Sequence, residues 1–298
     1  MWFSWDTFAL TVAQAACLAL PAVGLPAWAQ RFRTRAWALV LPLSIAIVVG
    51  AIEVLPSTAD ILTWVALLLV PPGCTLALGW AAHGARPWLG LLAAPLLALA
   101  WALPGDRAGE AAAVLLIAGS AVTLGRLLAG AAPLPLLKAG VVAMAAIDAC
   151  LVFSNELQAP NGVLEAASPG AGLPQLQSAA FHGATLGYGD FFAAAVVGGI
   201  LAAQRGGQRA AGLAMLAIAL AWDQLFDIYD TLPATVPPAL LLIALEILRR
   251  RPRGRRTRRA ASSSPPGSPR SGWASRSMRA GACSPASVPP RHRPSSTR

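Results

Sequence analysis

The sequence predicts an all-α, polytopic membrane protein of about nine transmembrane helices, followed by a disordered basic C-terminal tail. Composition is the first reason. Of 298 residues, 56% are hydrophobic and 12% charged, and mean hydropathy is +0.59, whereas soluble domains are roughly 25% charged. The second reason is segmentation into apolar runs of roughly 17 to 25 residues, the length a helix needs to cross a hydrocarbon core about 30 Å thick. The third is an abrupt change after Leu248 to Arg, Ser, Pro and Gly with no acidic residue, a composition that buries too little apolar surface to fold.

In chain order the runs cover residues 7–29, 36–55, 61–81, 87–103, 109–129, 134–154, 176–203, 210–229 and 233–248. The first ends in Ala27-Trp28-Ala29 before Gln30, like the small-residue cleavage site of a signal peptide. Residues 1–8 hold no Lys or Arg to form a positive n-region, so the run reads as a retained span. Arg31, Arg33 and Arg35 follow it, Arg86 follows the third run, Arg126 and Lys138 flank the fifth connection, and Arg205 and Arg209 follow the seventh. The ninth runs into Arg249, Arg250 and Arg251, while the alternate connections hold only Arg107. Because Lys and Arg concentrate on cytoplasmic loops, nine spans with this alternation place the N-terminus outside and the C-terminus in the cytoplasm. We expect the membrane to be a bacterial or archaeal plasma membrane.

The basic start of the tail, residues 249–259, is able to hold anionic lipid, but its simpler role is to anchor the topology. The tail supplies most of the net charge of +10, so that charge does not argue for nucleic acid. Cys17, Cys74, Cys150 and Cys283 are scattered without metal or redox spacing and read as inert small hydrophobes. The histidines form no cluster, and no Walker, GxGxxG or HExxH pattern occurs. No metal or organic cofactor is expected. There is no convincing internal repeat of the kind that builds inverted-repeat transporters. Trp2, Trp5, Trp28, Trp37, Trp80, Trp88 and Trp101 fall near predicted interfaces and read as an aromatic belt. Glu53 and Glu246 sit near run ends, where snorkelling or pairing is sufficient explanation.

Two acids inside apolar runs stand apart, because a carboxylate near the bilayer centre costs at least ~2.5 kcal/mol and is functional by default. Asp148 lies ten residues beyond Lys138, about 15 Å along a helix; Asp190 lies about 20 Å from Gln204, and Pro238 about 16 Å from Arg249. On antiparallel spans these depths coincide near the middle of the membrane. Two carboxyls that close share a proton and titrate as a pair. One ionised carboxylate then takes a proton from water while the neutral one donates to a scissile carbonyl, with activity falling on either side of a pH optimum. Gly187 and Gly189 are expected to loosen the helix and admit another backbone. Pro238, behind Pro237, is expected to free carbonyls that pair with an extended substrate. His182, two turns before Asp190, reads as a packed residue with the option of tuning the pair. Asp223 and Asp227, four apart, with Asp230 one turn on, read as the wet outer end of a helix rather than a cation site.

Asp148, the tetrad Gly187-Tyr188-Gly189-Asp190 and the segment Pro238-Ala239-Leu240 together resemble the GxGD intramembrane aspartyl proteases, the presenilin and signal peptide peptidase family. The resemblance rests on the identity, order and placement of these motifs across residues 134–248, with span count alone supporting the first half. It implies a nine-span fold in which Asp148 and Asp190 are the catalytic pair, Gly187, Tyr188 and Gly189 belong to the second motif, and Pro238, Ala239 and Leu240 shape the cleft. It implies an aspartic endopeptidase that hydrolyses transmembrane peptides in the lipid bilayer. The chain then divides into a five-span bundle (1–133), a four-span catalytic core (134–248) and the tail (249–298). Ile147 stands where the family usually has Tyr. An outside N-terminus is like the signal peptide peptidase branch.

Rival readings exist. Thr185-Leu186-Gly187-Tyr188-Gly189-Asp190 also matches a potassium-channel filter, although residues 191–203 give only ~20 Å of helix after it. Prepilin peptidases share GxGD, typically with a lysine close behind, where this chain has Phe191-Phe192. A proton-coupled transporter would use the two acids as a relay.

Overall fold

A computed structural model describes residues 5–27, 29–170, 172–227 and 232–250, all within one compact unit, Met1–Arg251. The basic tail with Cys283, Asp230, Trp2, Trp28 and the side chain of Asp227 lie outside the described residues. The described chain is mostly helical, at 76%. Four helical stretches are long and apolar enough to cross a membrane: Arg35–Val54, Thr58–Ala81, Arg107–Ala131 and Leu134–Phe153; Pro87–Ala102 and Tyr188–Ala203 are shorter apolar helices.

Each of the nine apolar runs contains a helix among the described residues. The first is α1 (Trp5–Ala19), and 3-10 turns at Ala29–Phe32 and Arg35–Leu39 lead into α2 (Val40–Val54). Next comes α3 (Thr58–Leu76), which passes Pro71 and Pro72 and ends in a π turn, Ala77–Ala81; the Thr75 hydroxyl donates back to the Pro71 carbonyl four residues earlier, a bond that tends to bend a helix as the prolines do. A 3-10 turn at Pro87–Leu92 precedes α4 (Ala93–Ala102). The start of α5 (Arg107–Ala131) is set by Asp106, whose carboxylate accepts from the Ala108 amide at 3.0 Å, an N-cap that satisfies one orphan donor. Prolines at its first turn open α6 (Leu134–Phe153). The short α7 (Gln158–Ala166) packs on α2 and α3. The last three helices are α8 (Tyr188–Ala203), α9 (Gln208–Asp223) and α10 (Val236–Arg250).

The run 176–203 is not one helix. Its first third forms an antiparallel hairpin, β1 (Ser178–Phe181) with β2 (Ala184–Gly187), in the register Ser178 to Gly187 and Phe181 to Ala184. His182 and Gly183 both have positive φ, 49° and 95°, the requirement of a two-residue type I′ turn. His182 is therefore the exposed tip of a hairpin rather than a packed helical residue. Its amide donates to Glu110 Oε2 at 2.7 Å, and its Nε2 faces the Arg107 guanidinium at 3.2 Å. Both partners lie in the first turn of α5, so the tip of the hairpin, His182 included, is fastened there and not to Asp190.

At the centre of the bundle stands α8, with every residue from Phe191 to Ala202 buried; a helix apolar all round belongs in such a place. It packs on α5 and α1, with α6, α9 and α10 completing its surroundings. Two thirds of the most apolar window of α5 is buried (67%), against 22% for α2 and α3. The outer helices instead expose Leu43, Ile47, Trp64, Leu68 and Leu69, the outward face expected against lipid tails.

Arg126 is a buried cation of the bundle. It lies within α5, inside the run 109–129, and is only 9% exposed. Its guanidinium donates to the carbonyls of Val23, Gly24 and Trp80 and stacks 3.7 Å over the Trp80 ring. Trp80 is thus a stacking partner for a cation rather than only a belt residue. The fixed fork of arginine is what reaches several carbonyls at once. Arg126→Lys is expected to lower stability by about 2 kcal/mol, since an ammonium cannot reach all three carbonyls and the charge-assisted bonds to two of them are lost. A thermal melt in detergent checks this.

Candidate functional site

Asp148 sits on α6, 8% exposed, and its Oδ2 accepts from the Thr235 hydroxyl at 2.5 Å. Thr235 is itself 3% exposed and lies just ahead of α10. Eleven residues further, Glu246 on α10 pairs with Lys138 of α6 at 2.5 Å, while Asp148 and Lys138 are ten apart. The two contacts therefore span about 15 Å on α6 and about 16 Å on α10. They clamp the helices antiparallel at both ends, which fixes the level of Asp148 relative to the head of α10. Glu246 also meets Arg250 one turn on, at 3.5 Å, so it is paired as expected near a helix end.

Asp190 lies in the first turn of α8, half-buried, with its Oδ2 accepting from the Gly187 amide at 3.1 Å. The unsatisfied amides and positive end of a helix N-terminus favour a carboxylate there. Asp148 and Asp190 lie close enough for their charges to act on one another. The start of α8 also faces α6 at Met144, whose Cε is 3.7 Å from where a Gly189 side chain would begin.

The third component is amide chemistry from α1. Gln14, 3% exposed, donates to the Asp190 carbonyl at 3.3 Å and the Ala234 carbonyl at 3.1 Å. It ties the head of α8 to the segment before α10, with Thr235 next to one of its two partners. Tyr188 is anchored separately: its hydroxyl and that of Ser120 on α5 are 2.9 Å apart, and its amide donates to the Gln177 carbonyl.

The motif residues thus converge, but Pro238 does not take the role expected of it. Gly187 ends β2 and precedes α8 with φ −66° and ψ 151°; a side chain there would meet only Asp190 Oδ2 at 3.2 Å, and one at Gly189 only Met144 at 3.7 Å, so no other backbone of the described chain packs against either glycine. Close backbone approaches occur instead deeper on α8. Pro237 and Pro238 fall in the first turn of α10, where an amide has no helical partner to lose. The carbonyls four residues earlier are not freed, because Pro233 accepts from the Val236 amide and Ala234 from Gln14. Pro238 and Ala239 are buried, whereas Leu240 is 42% exposed.

The filter-like hexapeptide is divided, with Thr185, Leu186 and Gly187 in a strand paired to β1 and Tyr188, Gly189 and Asp190 opening a helix. A row of carbonyls facing one ion path is not the geometry of that segment. Of the outlying acids, Asp223 accepts from the Thr11 hydroxyl at 3.4 Å across α1 and α9. Cys17 and Cys74 are buried and Cys150 is exposed. No group of three metal-ligating side chains comes together among the described residues.

Sequence reasoning missed Thr235, Gln14 and Ser120. Each carries the same faint signal, a hydrogen-bonding side chain inside an apolar stretch, but nothing in the local pattern assigns its partner. Chemically, the site offers two carboxylates from different helices, Asp148 held by Thr235 and Asp190 by the Gly187 amide, set in largely apolar surroundings that suit proton exchange with a bound water. Comparisons with protein-family models, with curated proteins and with solved structures find no match.

Proposed function

We propose that this protein is an intramembrane aspartyl endopeptidase of the GxGD type that hydrolyses transmembrane peptide segments with Asp148 and Asp190. The single observation that carries the reading is a nearly buried carboxylate, Asp148, held by Thr235 just ahead of α10, with a second carboxylate, Asp190, within reach of its charge. A helix cap accounts for Asp190 alone; it gives no reason for an acid at Asp148. In this reading the helices of all nine apolar runs cross the bilayer, α7 lies outside it, the N-terminus is outside and the basic tail is cytoplasmic. The shorter α8 suits the interior of the bundle, where protein rather than lipid surrounds it.

Water between the carboxyls is deprotonated by the ionised member and attacks the scissile carbonyl carbon. The neutral member protonates the carbonyl oxygen. The resulting tetrahedral gem-diol collapses as a proton passes to the leaving nitrogen and the C–N bond breaks. Transmembrane helices hold their amides in internal hydrogen bonds, so a substrate with a Gly-rich centre, which costs ~1 kcal/mol less per residue to unwind than Ala, is the probe of choice. The purified protein in vesicles is expected to cut such a single-span peptide into two fragments identified by mass spectrometry. Proton flux without peptide cleavage would instead support the relay reading.

Thr235 is a positioning residue in this mechanism. Thr235→Val keeps the shape but removes the hydroxyl from Asp148, and a hydrogen bond to a charged group is worth about 1.5 kcal/mol or more. The expected result is a kcat about tenfold lower with KM unchanged, and recovery in Thr235→Ser. Unchanged kcat in the valine variant would remove this role.

A further inference from the structure

The geometry points to a binding site for the phosphate of an anionic phospholipid at the basic end of the bundle, built by Arg33, Thr34 and Arg35 against Ala131 and Pro133. These residues line a cavity of about 200 Å³. One water takes ~30 Å³ in the liquid, so the space accommodates a phosphate ester. The inference is independent of the proteolytic reading.

Its level in the fold is set by three of the four longest apolar helices. Arg35 begins the first, Ala131 ends the third and Leu134, next to Pro133, begins the fourth. A cavity at the ends of three such helices lies where lipid headgroups lie. Thr34 is extended, with φ −139° and ψ 159°, and alternate residues of an extended chain point the same way. Arg33 and Arg35 therefore present their guanidinium groups on one side. The Thr34 hydroxyl makes no cap hydrogen bond with the turn that follows, which leaves it available to a phosphate oxygen.

Charge supports the same occupant. Neither Arg33 nor Arg35 takes part in an ion pair among the described residues. Glu53, Asp106 and Glu156 sit at or beside the opposite ends of these helices, and Glu246, at the basic end, is engaged by Lys138 and Arg250. Two arginines with no carboxylate at hand fit phosphate bidentately. The apolar border selects a lipid over free phosphate: Phe32, Trp37 and Leu39 are 54%, 41% and 57% exposed beside the cavity, and the Trp37 indole is held by the Phe32 carbonyl at 2.8 Å. An aromatic ring so placed suits the headgroup level, and the exposed Leu43 and Ile47 of α2 continue the path for an acyl chain.

The test is native mass spectrometry and thermal stability of the full chain with phosphatidylglycerol, phosphatidylcholine or inorganic phosphate. Phosphatidylglycerol is expected to be retained and to stabilise the protein, phosphatidylcholine and inorganic phosphate not. Arg33→Gln with Arg35→Gln is expected to weaken retention about 30-fold, the two charges acting together. Arg86→Gln with Arg209→Gln removes as much charge elsewhere and is expected to change it less than twofold. If the double variant does not fold, Arg33→Gln alone is read in its place at about fivefold. Equal loss in both pairs, or undiminished retention in the first, would overturn the site. Stabilisation by inorganic phosphate with none from phosphatidylglycerol would overturn its assignment to lipid.

Discussion

Asp148→Asn and Asp190→Asn are each expected to reduce peptide cleavage by about 10²- to 10⁴-fold, the usual range for losing a general acid or base. Asparagine has the same shape as aspartate but cannot exchange the proton that the pair must share. The surrounding hydrogen bonds survive the change, since an amide oxygen at 148 still accepts from Thr235 and one at 190 still accepts from the Gly187 amide. The variants are therefore expected to fold, and the loss to fall on kcat. Because the proposed mechanism has the two carboxyls act as one unit, the double variant should be scarcely worse than either single one. Initial rates on the Gly-rich peptide, with thermal melts of the same preparations, provide the check. Full turnover by either single variant would end the dyad mechanism.

Gly198→Val is expected to destabilise the protein by about 3 kcal/mol, at the upper end of the cost of overpacking. A side chain at Gly198 is driven into the backbone of α1 at the Leu18 carbonyl, which has no rotamer with which to yield. On another face of α8, Gly199 lies against Gly125 of α5, where a side chain would come within 2.7 Å of the Gly125 carbonyl oxygen. Held on both sides, α8 cannot slide away from α1. Gly162 is the control, because a side chain there meets nothing within 4 Å, and Gly162→Ala should stay within about 0.5 kcal/mol. The same displacement of α1 carries Gln14 away from the Asp190 and Ala234 carbonyls, so cleavage should fall along with the melting temperature. Equal melting temperatures for Gly198→Val and Gly162→Ala would show that α1 and α8 do not pack as closely as described.

Much of the helical layout was legible. The run 134–154 and α6 agree to within one residue at its end, because prolines and polar residues bound an apolar stretch of the length a membrane-crossing helix needs. The hairpin was not, since Ala179, Phe181 and Leu186 are as apolar as the helix that follows. A hydrophobic run alone does not distinguish a buried strand from a buried helix. The turn residues His182-Gly183 carried the only local sign of it.

For the site, the sequence determined which residues stand out: Asp148, Asp190 and Pro238 are conspicuous because acids and prolines are costly in an apolar helix wherever the chain goes. Tertiary structure alone decided how they are held. Thr235 finds Asp148 across 87 residues and Gln14 reaches the Asp190 carbonyl across 176. Burial cost is a property of one residue in its local run, readable from order along the chain. A hydrogen-bond partner is chosen by which helices pack side by side, and here that choice rests on close approaches such as Gly198 of α8 against Leu18 of α1, between segments far apart along the chain.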